Sequence, residues 1–228
     1  ASNFTLYLFD HPEFDPEFKA DIPKLIKWTE TNFINRCAPG EPANQWGANI
    51  VGEQDSFLVK MDYQTARYAA ECARWYSISG DSSYKEKAYR SLNWVTYCSD
   101  SLGMAFESPL SKGITSWWSD CYGEGPRMFY HALAAVPEWA PVGEDHLLYS
   151  EGVLKNIIYG KNKVQYTPSN TGMEYLKLSF KPALITIAGV AINAGSTLTK
   201  EGYVLKPLDD GGYSLAIRRS RAGTVTIK

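Results

Sequence analysis

The run Trp117-Trp118-Ser119-Asp120-Cys121-Tyr122-Gly123-Glu124-Gly125-Pro126-Arg127, followed by Tyr130 and His131, is the densest group of chemistry-bearing side chains in this 228-residue chain. Flat aromatic faces stack on the apolar faces of sugar rings, and carboxylates and guanidinium groups bind hydroxyls and uronates. Asp120 and Glu124 are candidates for the carboxylate pair that glycoside hydrolysis needs, one acid and one base or nucleophile. Elimination at a uronate would instead use Tyr122 or His131 as the base, with Arg127 neutralising the acid group. The competing role is structural. Trp117 and Trp118 would then fill a core, and Asp120 would cap the helix that Pro126 begins.

A second group is Trp46-Gly47-Ala48-Asn49, ahead of Glu53, Gln54 and Asp55 at the expected start of a long helix. Trp46 and Asn49 are candidate substrate-binding residues, together with Trp117, Trp118, Tyr122 and Arg127. The candidate catalytic residues are Asp120, Glu124 and His131. The acidic start of the long helix has its own structural reason, since it complements the helix dipole. No metal site or cofactor is expected: the four cysteines lack metal-type pair spacing, and phosphate loops, dinucleotide fingerprints, nucleophile elbows and zinc-protease helices are absent from the sequence. Cys72 and Cys98 lie among apolar neighbours in helical patterns, which favours buried thiols over a bridge.

The elements that must position these residues fall into two regions. Every Trp, His and Cys lies before residue 150. Up to Ser150 there are 12 Lys+Arg against 20 Asp+Glu, and from Glu151 onward 11 against 5, so the net charge turns from −8 to +6. Hydrophobic periodicity changes at the same place. Two domains are therefore expected, an α-helical hairpin domain over 1–150 and a small antiparallel β-sandwich over 151–228, with the junction between Glu138 and Gly152. The near-neutral total and the dispersed basic residues argue against a nucleic-acid partner. No apolar run approaches the roughly 20 residues that span a bilayer, so no membrane partner is expected.

Within the first region, Phe4 to Phe9 reads as extended and a helix is expected from Asp21 to the stop at Pro39-Gly40. The longest helical pattern runs from Glu53 to Ser79 and ends at Gly80-Asp81. Ser83 and Glu86 form a capping box for the next helix, and a further helix covers Gly125 to Val136. In the second region seven strands are expected: 154–159, 163–166, 174–180, 184–188, 203–205, 214–218 and 224–227.

The run Ala69-Ala70-Glu71-Cys72-Ala73-Arg74-Trp75-Tyr76-Ser77-Ile78-Ser79-Gly80-Asp81-Ser82-Ser83-Tyr84-Lys85-Glu86-Lys87-Ala88, with the later Asn93-Trp94, resembles the hairpins of six-hairpin glycosidases and related α/α-toroid polysaccharide lyases. The resemblance implies a partial α/α toroid followed by a β-sandwich, and a carbohydrate-processing enzyme, a glycoside hydrolase in preference to a lyase. A non-catalytic carbohydrate-binding or assembly protein is the rival. Such a ring needs about twelve helices, whereas residues 1–150 hold roughly four at usual helix lengths. A preceding toroid segment, or a second polypeptide packed on residues 1–130, is therefore expected alongside a saccharide ligand. The chain opens at Ala1 without an initiator methionine, and Asn3-Phe4-Thr5 is a glycosylation sequon. The missing methionine fits either a removed signal peptide or a piece of a longer chain, and the sequon matters only in a secreted protein. A secreted or periplasmic location is the expectation.

Overall fold

The computed structural model describes residues 2–37, 44–52, 60–102, 105–106 and 121–228, with the side chains of 121–123 left aside. The chain is α+β, and it divides into two compact units, Ala1–Ala135 and Val136–Lys228. Among the described residues, five α-helices lie in the first unit: α1 (Ser2–Asp10), α2 (Phe18–Thr29), α3 (Asp62–Ser79), α4 (Ser82–Thr96) and α5 (Cys121–Ala135). A two-stranded hairpin, β1 (Asn44–Gln45) and β2 (Ala48–Asn49), precedes α3.

The α3–α4 hairpin follows directly from sequence. A row of alanines on α3 (Ala66, Ala69, Ala70, Ala73) is fully buried and lets neighbouring helices approach closely. Gly80 ends α3 at φ 73°, a left-handed position that suits glycine, and its N–H closes on the Tyr76 carbonyl. Asp81 then caps α4, accepting from the Ser83 N–H at 2.9 Å. The cap is therefore Asp81 rather than a Ser83–Glu86 box. Glu86 is turned along the helix to Arg90 instead.

Other helix bounds differ from expectation for local reasons. Residues 2–10 are helical, not extended, because Thr5, Leu6, Leu8 and Phe9 fall on one helical face and are buried. α2 begins at Phe18, so Pro23 sits inside it, where its missing N–H leaves the Lys19 carbonyl without the usual donor. The helix then widens into a π-turn over Glu30–Ile34, closed by Asn35 N–H to Glu30 O at 3.0 Å. The expected stop at Pro39-Gly40 and the helix start at Glu53 lie outside the described residues. α3 opens at Asp62, preceded by extended Met61. Buried Lys60 donates to the carbonyls of Phe33, Ile34 and Arg36 at 3.1, 2.9 and 3.0 Å, so a cation neutralises the end of the π-turn. α5 starts at Cys121, ahead of the expected Gly125, and Pro126 lies within it.

The second unit opens at Val136, and its first strand precedes residue 150. Its strands are β3 (His146–Ser150), β4 (Leu154–Gly160), β5 (Lys163–Pro168), β6 (Gly172–Leu178), β7 (Ile185–Ile187), β8 (Val190–Ala191), β9 (Gly202–Pro207), β10 (Tyr213–Arg219) and β11 (Val225–Ile227). They form two antiparallel sheets, β3-β6-β10-β9 and β4-β5-β11-β7-β8. All seven expected strands are present in substance, and β3 and β8 are additional. Alternating side chains of both sheets, among them Leu176, Leu215, Ile217, Val164, Ile185 and Val225, form one buried apolar cluster. The segment before β3 is tied to this unit by Lys177, whose Nζ donates to Ala140 O at 2.7 Å and to Asp210 at 2.5 Å.

Candidate functional site

The β1–β2 hairpin carries a feature that its sequence does not announce. Trp46 and Gly47 are the two central residues of its turn, and both have positive φ, 54° and 80°. This is the type I′ geometry that suits tight hairpins, usually built with Asn-Gly or Asp-Gly. A tryptophan held in the left-handed region is rare and costs of order 1–2 kcal/mol.

The scaffold behind the turn explains how that conformation is held. Trp94 Nε1–H on α4 donates to Gln45 Oε1 at 2.7 Å, and Ser91 Oγ donates to Asn49 O at 2.9 Å. Asn49 Nδ2 donates to the Tyr68 hydroxyl on α3 at 2.9 Å, and that hydroxyl donates to Glu30 Oε1 at 2.9 Å. Lys87 reaches the same Glu30 oxygen at 2.6 Å. Burial opposes ionisation of Glu30, but hydrogen bonds from Lys87, Tyr68 and Lys27 hold its carboxyl below the usual range. The hairpin is thus pinned to α3 and α4 through a chain of polar contacts that ends in the part-buried Lys87–Glu30 ion pair.

With every other part of the hairpin anchored, the Trp46 ring points outward and is 59% exposed. Among the described residues its ring contact is with Tyr97, just past the end of α4 and 51% exposed, with centroids 5.0 Å apart and planes at 62°. Glu86, Arg90, Asn93 and Tyr97 recur at spacings of four, three and four, so they form one exposed stripe of α4 beside the turn. A Cβ on Gly47 would overlap the Arg90 guanidinium, so only glycine lets that group lie against the turn.

Glu124 occupies the first turn of α5 and receives Arg67 Nη2–H at 2.6 Å and Arg127 Nη1–H at 3.2 Å. α5 runs alongside α3 in the same direction, since Asp62 lies beside Gly125 and Arg74 lies close enough to His131 to affect its charge. Burial opposes ionisation of Glu124, yet the hydrogen bond and charge of Arg67, aided by Arg127, keep it a carboxylate. It suits a base or an electrostatic role, not a proton donor. His131 is held neutral, its pKa pushed down to about 4 by burial and by Arg74 and Arg127.

The carboxyl that is protonated near neutral pH is one the sequence reading did not single out. Glu71 on α3 is fully buried, and neither oxygen is in hydrogen-bond geometry with a partner. Burial pushes its pKa up to about 8, although Ser2 and Arg67 favour the charged form. Neighbouring Cys72 is likewise buried, and burial raises its thiol pKa, so it is an inert core thiol.

Of the candidates read from sequence, Trp46, Asn49, Glu124, Arg127 and His131 are described. Trp46 is exposed, whereas the Asn49 amide is committed to Tyr68 and Asn44. Trp117, Trp118 and Asp120, and the side chain of Tyr122, lie outside what is described. Tyr97 and Arg90 are the additions, and the stripe of α4 spacing was the signal that could have found them. Among the described residues no group of three His, Cys, Asp or Glu side chains could hold a metal ion, and no helix is long and apolar enough to cross a membrane. No known protein family matches the chain, and no characterised protein or solved structure matches it either.

Proposed function

We propose that this chain handles carbohydrate, with the Trp46–Tyr97 corner holding the saccharide. The observation that carries the reading is an exposed tryptophan in an unfavourable backbone conformation, on a hairpin anchored to α3 and α4 through Gln45 and Asn49. Such strain persists where a function requires it. Aromatic faces flanked by a guanidinium, a carboxylate and an amide supply the stacking and hydroxyl hydrogen bonds that sugars use.

In this reading the helical unit is part of an α/α toroid of glycoside-hydrolase type, the second unit is a β-sandwich, and the protein works outside the cytoplasm. Ionised Glu124 fits the carboxylate member of a hydrolytic pair, and Asp120 is assigned the acid. A lyase would draw on Tyr122 or His131 instead. Exposed Phe4, Tyr7, Phe14 and Trp28 support the packing of a further helical segment or a second polypeptide on residues 1–130. A non-catalytic binding protein is the second reading, favoured by the ion pairs that already occupy Glu124 on both sides.

One assay series separates these readings. The chain and its Asp120→Asn and Glu124→Gln variants are incubated with soluble polysaccharides, following reducing ends for hydrolysis and ultraviolet absorbance of unsaturated products for elimination. Reducing ends that depend on Asp120 and Glu124 are expected. Unsaturated products would select the lyase, and binding without turnover the non-catalytic protein. Absence of any saccharide binding would sink the proposal.

A further inference from the structure

We infer that the Trp46–Tyr97 corner takes one pyranose ring of a soluble glycan, with Arg90 as the residue that reads its hydroxyls, and does not take the flat face of a crystalline polysaccharide. This rests on the saccharide reading above and adds the class of ligand.

The shape argument comes first. A crystalline polymer presents a plane, and a protein that stacks on a plane needs rings lying in one plane. Trp46 and Tyr97 are inclined at 62° with centroids 5.0 Å apart, so a surface that lies flat on one ring meets the other as a wall. A single ring fits such a corner, with a face on one aromatic and an edge on the other. The backbones that carry the two rings are set by the left-handed Trp46–Gly47 turn and by the end of α4 at Tyr97.

The polar argument concerns Arg90. Its Nε–H is taken by Glu86 Oε1 at 2.5 Å, which fixes the plane of the guanidinium. The same group lies where a Gly47 Cβ would be, so it rests against the turn that carries Trp46. Among the described residues its terminal nitrogens make no hydrogen bond to protein, and half of the side chain is open to water. A half-exposed guanidinium paired with one carboxylate, on the turn that carries an exposed aromatic ring, matches a ring with adjacent hydroxyl oxygens. Asn93, exposed one turn further along α4, adds an amide that can both donate and accept.

The test uses the full chain on an array of soluble neutral, amino and uronic oligosaccharides, with titration calorimetry of the hits. Retention on microcrystalline cellulose and chitin is measured in parallel. Binding to at least one soluble oligosaccharide is expected, with no retention on either solid. Trp46→Ala should weaken binding by about tenfold or more, as for the loss of one stacking ring. Arg90→Gln should weaken it by roughly fivefold or more, as for a lost charged hydrogen bond. Trp46→Asn, which suits the turn, should keep the fold by circular dichroism and weaken binding at least as much as Trp46→Ala. Retention on cellulose or chitin that Trp46→Ala removes, or an Arg90→Gln variant with unchanged affinity, overturns this inference and leaves the saccharide reading standing. No array hit, or hits indifferent to Trp46→Ala, overturns both.

Discussion

Arg67 on α3 donates to Glu124 on α5 at 2.6 Å, with both side chains mostly shielded from water, and the contact fixes the charge of Glu124. A carboxyl whose folded pKa is depressed contributes stability above its unfolded value of about 4.5, and that contribution is lost as pH falls through the lower folded value. Glu124→Gln should therefore cost about 1–3 kcal/mol at pH 7, as for a lost charged hydrogen bond. The difference from the parent chain should shrink as pH falls below about 4.5. Urea unfolding at several pH values measures it, and a cost unchanged at pH 3 would count against the pair.

Glu71 gives the opposite dependence. Its pKa is pushed up to about 8 in the folded chain, chiefly by burial. The native state therefore holds one more proton than the unfolded chain between about pH 4.5 and 8, and this group's contribution declines as pH rises across that window. Glu71→Gln removes the slope. The variant should match the parent near pH 4 and exceed it by a few kcal/mol near pH 8. Parallel stability curves for the two proteins between pH 5 and 8 would refute a protonated Glu71.

How far these features were legible in sequence depended on whether a local pattern encoded them. The α3–α4 hairpin was legible because alanine spacing and Gly80-Asp81 are local signals. So were seven of the strands of the second unit, through alternation and turn residues. β3 was not, because it is a short edge strand with a bulge between Leu147 and Tyr149 that breaks the alternation. The helix at residues 2–10 was masked by Pro12 and Pro16 close behind it. Glu71 reads as an ordinary helical glutamate, and its protonation arises from burial by tertiary packing. Trp46 was legible as a candidate, but its role as the tip of a hairpin was not, because Trp-Gly carries no recognised turn signal.

The second unit contains a buried charge pair whose two members should behave unequally under mutation. Arg219 Nε–H donates to both Glu174 oxygens at 2.7 and 2.9 Å, and both side chains are wholly buried. Burial raises the Glu174 pKa even with Arg219 beside it. Arg219→Met strands a buried carboxyl and should cost about 3–5 kcal/mol. The double variant Arg219→Met with Glu174→Leu removes the stranded charge and should recover most of that loss. Chemical denaturation of the three proteins decides, and a double variant no better than the single one would mean that packing, not charge, dominates the site.

Trp46→Asn is the substitution that sets stability against function. Asparagine tolerates the left-handed region that tryptophan resists, so the variant sheds a strain of about 1–2 kcal/mol. Little burial is lost in exchange, because Trp46 is 59% exposed and, among the described residues, its ring meets only Tyr97. A net gain of about 1 kcal/mol is expected, seen as a higher denaturant midpoint with an unchanged slope. Gly47→Ala should act the other way and destabilise the hairpin, since φ is 80° there and the new Cβ would overlap the Arg90 guanidinium. If Trp46 served only to hold the fold, Trp46→Asn would destabilise the chain. A more stable chain that binds saccharide about tenfold more weakly or worse is the outcome that a tryptophan retained for ligand requires.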